Sequence, residues 1–330
     1  MSKSKKDPGE FEVIKDIFSP LAATMPGSLG LTDDAALLDL QAGEQLVLTK
    51  DAMVAGVHFF DNDRPDYIAK KLLRTNLSDL AAMGAKPVGY LLATAWTDGC
   101  DEQWLKSFAK GLEEDQAYFH IGLLGGDTVK TPGPLTLSLT ALGAVKTGSA
   151  LRRNGAQVGD LIYVSGTLGD SALGLRSLMG QLPILHQNHT DFLQNRYYLP
   201  QPRLRLGQEL VGFATSCLDI SDGLLADIGH ICTQSGVGAV IQRDRIPLSN
   251  ATGAVLEKGS EAWNWVVGGG DDYELAFTVS VTKAKQVEAL ARDAGEKITH
   301  IGEITSGSAP VFVDELGHEV KVSKIGWAHF

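Results

Sequence analysis

Residues 72–84, Leu72-Leu-Arg-Thr-Asn-Leu-Ser-Asp-Leu-Ala-Ala-Met-Gly84, organise the rest of the chain. Leu72, Leu73, Leu77, Leu80 and Met83 recur at helical spacing, and Gly84 followed by Pro87 supplies a stop, so a helix is predicted over Asp66–Met83. Asn76 and Asp79 are three residues apart and share a face one turn apart. The surroundings are apolar enough to bury that face. A buried carboxylate is costly unless it is paired or binds a cation. The default role for one such Asp is a loop cap or a partner for Arg, so its meaning depends on how many acids sit in similar settings elsewhere.

Outward from the helix, elements alternate. Glu10–Phe18 reads as a short amphipathic helix carrying Phe11, Ile14, Ile17 and Phe18, after a tail at residues 1–8 that is expected to be disordered. Ala35–Leu40 and Leu46–Thr49 read as a hairpin around Gln41-Ala-Gly-Glu44. Val88–Trp96 is a long apolar strand, Asp101 an N-cap for a helix to about Tyr118, and Ile121–Leu124 a strand opening into Gly125-Gly-Asp-Thr128. Leu135–Val145 is another strand. Near residue 150 the texture turns polar and Gly-containing, which places a boundary between a domain at 1–149 and one at 150–330.

Beyond it the pattern predicts a strand at Leu161–Ser165, a helix through Met179, a surface loop or irregular helix over 181–195 and a helix at Arg203–Phe213. A strand at Ser216–Leu218 ends in Asp219-Ile-Ser-Asp-Gly223, with a helix from Leu224 to about Gln234. Then come strands at Gly238–Gln242 and Tyr273–Val279, a helix at Lys283–Ala294, and a hairpin of Val311–Val313 with Glu319–Val322. Interleaved strands and helices make the fold α/β or α+β.

Composition narrows the function classes. With 44% hydrophobic and 21% charged residues among 330, this is ordinary globular protein, long enough for two domains. A net charge of −11 disfavours nucleic-acid binding. Cys100, Cys217 and Cys232 lack CxxC spacing, which argues against a disulfide framework or a zinc site and for a reducing compartment such as the cytoplasm. The polar N-terminus is not a secretory signal, and no apolar run approaches the roughly 18–20 residues of a membrane span.

Four segments share one design, an apolar element and a small-residue corner followed by Asp: Thr32-Asp-Asp34, Thr49-Lys-Asp51, Gly125-Gly-Asp127 and Asp219-Ile-Ser-Asp222. Singly, each is a common turn or N-cap. With Asp79 they put acids on five separated elements. Carboxylates that converge repel one another unless cations lie between them. Oxygen-only donors suit Mg²⁺, Mn²⁺ or Ca²⁺ better than zinc, and Mg²⁺ held this way usually also meets substrate phosphates. The glycines allow backbone amides close to phosphate oxygens. No GxxxxGK[ST], GxGxxG or GxSxG is present. The pattern therefore reads as a magnesium-dependent, phosphate-handling enzyme.

Eight motifs in order carry a resemblance: Gly9-Glu-Phe11, Thr32-Asp-Asp-Ala-Ala-Leu37, Ala55-Gly-Val-His-Phe59, Asn76-Leu-Ser-Asp-Leu-Ala-Ala-Met-Gly-Ala85, Gly125-Gly-Asp-Thr128, Leu151-Arg-Arg-Asn-Gly-Ala156, Asp219-Ile-Ser-Asp-Gly-Leu224 and Gly269-Gly-Asp-Asp-Tyr-Glu-Leu275. Across nearly its whole length the chain resembles the thiamine-monophosphate kinases, of the superfamily that includes aminoimidazole ribonucleotide and selenophosphate synthetases. The resemblance implies ATP-dependent phosphorylation of thiamine monophosphate to thiamine diphosphate. It implies a homodimer in which the N-terminal sheet pairs with its copy into a barrel, and an α/β C-terminal domain.

Carried over by motif, Asp34, Asp51, Asp79, Asp127 and Asp219 would hold magnesium, with Thr49 adding an oxygen, Lys50 in the same run and Asp222 reaching a further ion. Gly126, Asp127, Arg153 and Ser221 would contact ATP, with Arg152 an alternative to Arg153 and Phe119 or Tyr118 at the adenine. His58, Asp271 and Trp327 would contact the thiamine phosphate; packed, core-sealing roles for His58 and Trp327 are the alternatives. No dedicated acid or base is implied, because the acceptor phosphate is already ionised. Three positions depart from the family pattern: Thr32 for Gly, Lys50 for Thr and Asp271 for Glu. Another synthetase of the superfamily and a non-catalytic nucleotide-binding regulator are the alternatives. The lack of any Cys before Cys100 argues against the selenophosphate branch.

Overall fold

Two sheets, one in each of two units, carry the chain in a computed structural model that describes residues 9–323 and 325–327. The first unit runs to Leu80 and resumes over Lys86–Thr147; the second takes Ala81–Ala85 and the chain from Gly148. The tail expected at residues 1–8, and Phe11 as a face residue of the first helix, lie outside what is described.

The first unit opens with α1 (Glu10–Val13), which continues as a π-helical turn, Ile14–Phe18, and a 3-10 turn, Ser19–Ala22. Then follow β1 (Glu44–Val54), α2 (Pro65–Ala82), β2 (Lys86–Trp96), α3 (Glu102–Phe119), β3 (Leu123–Lys130) and β4 (Thr136–Lys146). The sheet order is β1-β4-β2-β3, antiparallel except for β2–β3, and α3 is the crossover a parallel pair needs. Asp101 caps α3 by accepting from the Trp104 amide at 2.8 Å. Alternation gives one buried face, with Met53, Tyr90, Leu92, Leu137 and Leu139, and one open face, on which Leu48 is 62% exposed. Arg74 of α2 and Asp115 of α3 form a buried two-point ion pair at 2.6 and 2.8 Å.

Two expectations are corrected here. Ala35–Leu40 forms no strand and no hairpin with β1: Leu37 and Leu40 stay exposed, and the Leu37 amide donates instead to the Gly27 carbonyl at 2.8 Å. β1 finds its partner in β4, about ninety residues on. Gly125-Gly-Asp-Thr128 is not a loop after a strand but lies inside β3. Glycine is required there because a Cβ on Gly126 would stand 1.8 Å from the Leu92 carbonyl oxygen.

The second unit comprises β5 (Leu161–Ser165), α4 (Asp170–Leu178), α5 (Gln187–Tyr198), α6 (Leu204–Glu209), β6 (Ala214–Asp219), α7 (Leu224–Ser235), β7 (Gly238–Gln242), α8 (Asn250–Leu256), α9 (Trp263–Gly268), β8 (Leu275–Val279), α10 (Ala284–Asp293), β9 (Ile298–Thr305) and β10 (Pro310–Val313). Its order is β10-β7-β9-β5-β8-β6, with only β10–β7 parallel. Ile162, Val164, Leu218, Ile228, Ile241 and Phe312 are among its core. The region 181–195, expected to be a surface loop or irregular helix, carries a regular helix, α5, from Gln187 on. Arg203–Phe213 is helical only over α6, and Tyr273 falls outside β8. The hairpin expected after Val311 reduces to one bridge, Val313 to Glu319, and β10 pairs in parallel with β7 instead. β9, in the middle of the sheet, has no counterpart among the sequence expectations.

Candidate active site

Register decides what the first sheet presents. Across it run the rows Lys50–Thr140–Leu91–Gly125, Asp51–Leu139–Leu92–Gly126 and Ala52–Ser138–Ala93–Asp127. Residues in a row share a face and adjacent rows face opposite ways. Asp51 therefore points to the buried face, with Thr49, whose hydroxyl donates to the Asp79 carboxylate on α2. Burial pushes the Asp51 carboxyl above its usual range, against the lowering effects of a Thr75 hydrogen bond and the nearby His58. His58 is fixed in turn by the Val54 amide, which donates to Nδ1 at 3.0 Å. Asn76 gives its amide to the Leu72 carbonyl at 2.9 Å, while its fully buried Oδ1 has no partner among the described residues.

Lys50 and Asp127 take the other face. There a cavity of about 760 Å³ is bordered by Asp33, Asp34, Lys50, Gly125, Gly126 and Asp127, together with apolar residues and hydroxyls. The paired aspartates are brought in by a bend after Leu31, where the Asp34 amide donates to Asp33 Oδ1 at 3.0 Å. Phe119, at the end of α3, lies edge-on to Tyr118 at 4.7 Å and under the Arg74 guanidinium at 5.5 Å. Tyr118 is the more exposed ring.

In the second unit Asp219 ends β6 and is buried. The turn after it is knitted by backbone bonds: the Asp271 amide to the Ser221 carbonyl, the Tyr273 amide to that of Ile220, and the Trp327 amide to that of Asp222, at 2.8, 2.8 and 2.9 Å. Asp271 and Tyr273 adopt left-handed φ values of 62° and 51°. Such conformations are uncommon for non-glycine residues, and they gather at sites whose surroundings over-determine them. The Tyr273 hydroxyl donates to Asp271 Oδ1 at 3.3 Å. Asp272 points inward and accepts from the Gly169 and Ser171 amides, and Glu274 meets Arg196 and Arg203.

Asp227 Oδ2 accepts from the Asp222 and Gly223 amides at 3.1 and 3.0 Å and so shapes the turn that carries Ser221 and Asp222. Burial, then the charge of Asp222, pushes its carboxyl up to about 7, against the two amide bonds and the Arg153 charge. Asp222, Asp227 and His230 form the one group among the described residues whose ligand atoms lie within 4.8 Å of one another. Arg153 is exposed, and its carbonyl accepts from the Ser235 hydroxyl at 3.5 Å. Sequence reasoning did not single out Asp227, His230 or Asp33. Asp227 and His230 stand one helical turn apart, the same spacing that marked Asn76 and Asp79.

The structure thus gathers Thr49, Asp51 and Asp79 beneath the sheet, and Asp34, Lys50, Gly126 and Asp127 around the cavity above it. It joins Ser221, Asp222, Asp271 and Trp327 in one knot beyond Asp219. The donors beneath the sheet are oxygens, one carboxyl is destabilised by burial, and a buried amide oxygen lacks a partner. That set fits a hard cation such as Mg²⁺.

Two mixed sheets, with carboxylates inside β1 and β3 and at the end of β6 and a glycine pair beside Asp127, suit an AIR synthase related protein. Residues 32–145 match the family described as AIR synthase related protein, N-terminal domain, and residues 157–315 the corresponding C-terminal domain. Within that class the chain belongs to the thiamine-monophosphate kinase family. It is 43% identical to thiamine-monophosphate kinase of Caulobacter vibrioides over 98% of this chain and 91% of the relative. The crystal structure of thiamine-monophosphate kinase from Stenotrophomonas maltophilia K279a superposes with a TM-score of 0.82 at 40% identity, covering 92% of this chain and 97% of that one. A further structure, AaThiL complexed with AMPPCP and TMP, matches with a TM-score of 0.77 at 27% identity over 100% of this chain and 99% of the other.

Proposed function

We propose that this chain transfers the γ-phosphoryl group of ATP to the phosphate of thiamine monophosphate, releasing thiamine diphosphate and ADP. The observation that carries this is near-full-length identity to proteins of that activity, together with a likeness to a relative that holds an ATP analogue and TMP. Phosphoryl transfer needs positioning and charge neutralisation more than covalent chemistry. The acceptor phosphate is ionised at neutral pH, so in-line attack requires no strong base.

Asp34, Asp51, Asp79, Asp127, Asp219 and Asp222, with Thr49 and the Lys50 carbonyl, are our assignment for magnesium. Bound there, the ions would neutralise phosphate charge. Gly126 offers its amide to the nucleotide phosphates without a side chain in the way, Ser221 a hydrogen bond, Arg153 a planar phosphate clamp and Phe119 a ring for the base. His58, Asp271 and Trp327 hold the thiamine phosphate, Trp327 by an aromatic face toward the cationic thiazolium. The left-handed Asp271 backbone supports this, because it aims a carboxylate one methylene shorter than Glu at a fixed point. We assign residues 1–149 to metal, ATP and dimer contacts and 150–330 to the α/β domain.

Dimerisation through the first sheet, closing a barrel, is supported by Leu48, Leu91 and Val129, all exposed on its open face. The reduced cysteines favour the cytoplasm. Among the described residues no helix is long and apolar enough to cross a membrane.

The test is ADP formation from MgATP with thiamine monophosphate, thiamine, aminoimidazole precursors or no acceptor. Turnover with thiamine monophosphate alone, with thiamine diphosphate as product, is the expected result. MgATP binding without turnover on any acceptor would leave the regulator reading in its place.

A further inference from the structure

Gly270, Asp271 and Tyr273 have left-handed backbones, with φ of 75°, 62° and 51°. Two of them carry a Cβ, so the run relaxes unless its surroundings hold it. The Asp271 and Tyr273 amides fasten one side of it to the Ser221 and Ile220 carbonyls. A side chain from a separate helix fastens the other. Arg196, on α5, donates from Nη2 to the Asp272 carbonyl at 3.3 Å and to Glu274 Oε1 at 2.8 Å. That nitrogen carries two hydrogens, and they go to the residues on either side of Tyr273. The Tyr273 hydroxyl in turn donates to Asp271 Oδ1 at 3.3 Å. One path therefore runs from α5 through Tyr273 to the Asp271 carboxylate.

The two arginines at Glu274 differ in what they hold. Arg203 donates from Nε to Oε2 at 2.7 Å and from Nη2 to Oε1 at 2.6 Å, and the Ser165 hydroxyl donates to Oε2 at 2.6 Å. Those three bonds serve the buried Glu274 carboxylate without Arg196. Arg196 is placed less well for its own donors. Its Nε is buried with no hydrogen-bond partner among the described residues and stands 4.0 Å from Asp170 Oδ2. An unmet buried donor is unfavourable, so this position serves the Asp272 carbonyl at the expense of the guanidinium itself.

We propose that Arg196 is a positioning residue for the acceptor substrate: by stapling the chain on both sides of Tyr273, it fixes where the Asp271 carboxylate meets thiamine monophosphate. This rests on the assignment of Asp271 to that substrate. A carboxylate one methylene shorter than Glu depends the more on the backbone beneath it. The consequence is selective. Loss of the staple weakens the acceptor and spares the nucleotide, and it acts only through Asp271.

The experiment is steady-state kinetics of the full chain for the native protein, Arg196→Met, Arg196→Lys, Asp271→Ala and the double variant Arg196→Met with Asp271→Ala. Met keeps the stem and removes every donor. Lys keeps the charge beside Glu274 and Asp170, which protects folding, but its ammonium ends short of the Nη2 position. Asp271→Ala should raise the KM for thiamine monophosphate by about tenfold or more, the worth of a hydrogen bond to a charged group. Arg196→Met and Arg196→Lys should each raise it by about five- to tenfold, with the KM for ATP within about twofold of native. Added to Asp271→Ala, Arg196→Met should raise the KM for thiamine monophosphate by less than about twofold further, because both changes remove one contact.

Parallel rises in both KM values, or a full further rise from Arg196→Met in the Asp271→Ala background, would overturn the positioning role and make Arg196 a structural residue. Native KM for thiamine monophosphate in Arg196→Lys would overturn it too, since charge alone would then suffice. An unchanged KM for thiamine monophosphate in Asp271→Ala would overturn the assignment of Asp271 itself, and this proposal with it.

Discussion

The Thr49 hydroxyl donates to the Asp79 carboxylate, so β1 and α2 meet at a polar contact inside an otherwise apolar layer. Asp51 lies on the same face and is held above its usual carboxylate range by burial. Replacing Asp79 by Asn keeps the shape and an acceptor for Thr49 but removes the charge. Turnover should fall by about 10³-fold or more, as charge neutralisation dominates phosphoryl transfer, with little change in thermal unfolding. Near-normal kcat in Asp79→Asn would remove Asp79 from the proposed magnesium set.

The glycine pair separates two kinds of constraint. A Cβ on Gly126 would stand 1.8 Å from the Leu92 carbonyl oxygen, a backbone atom that cannot give way, whereas one on Gly125 would meet only Leu91 Cδ2 at 3.5 Å. Gly126→Ala should lose about 3 kcal/mol of stability in urea titration and Gly125→Ala well under half of that. A loss in Gly126→Ala as small as that expected for Gly125→Ala would mean that β2 and β3 shift apart at little cost.

Trp327 is 48% exposed, and its amide is anchored to the Asp222 carbonyl at 2.9 Å. Trp327→Ala should raise the KM for thiamine monophosphate by roughly 2- to 30-fold, the worth of a cation–π contact, and leave the KM for ATP nearly unchanged. Parallel losses for both substrates would show that the residue acts by bracing the Asp219–Gly223 turn.

Asp272 is buried among the Gly169 and Ser171 amides, Asp170 and Arg196, and its carboxyl is pushed up to about 8, by burial first, against the amide bond from Gly169. With a folded value above the unfolded one of 3.8, the native state binds more protons between the two. The contribution to stability is fully present below about pH 4 and is lost as pH rises toward about 8. Asp272→Asn removes this titration. The difference in melting temperature, variant minus native, should therefore rise steadily from pH 4 to 8. A flat difference would mean that the Asp272 carboxyl ionises at an ordinary pH.

Much was legible without coordinates. The spacing of Leu72, Leu73, Leu77 and Leu80 marked α2, Asp101 marked the start of α3, and the long apolar run marked β2, because helix periodicity, capping and strand propensity are local properties. β9 was not legible: Ile298–Thr305 alternates weakly and becomes a central strand only because β5 and β7 flank it. Ala35–Leu40 shows the converse, a strand-like pattern with no partner to complete it.

At the candidate site the residue types were legible and their directions were not. That acids, glycines and an arginine recur in small-residue motifs along separate elements is written in the chain, and with it the family and its chemistry. Whether Lys50 and Asp127 share a face opposite Asp51 depends on the register of four strands drawn from residues 44 to 146. The role of Asp227 as a brace for Asp222 depends on the path of the turn between β6 and α7. The sequence by itself determined the class of reaction, the donor chemistry and most helices, because these follow from side-chain identity and short-range spacing. Only the tertiary structure decided which side chains face one another, because strand register is set by pairing and burial summed over segments far apart in the chain, and a one-residue slip would turn every side chain to the opposite face.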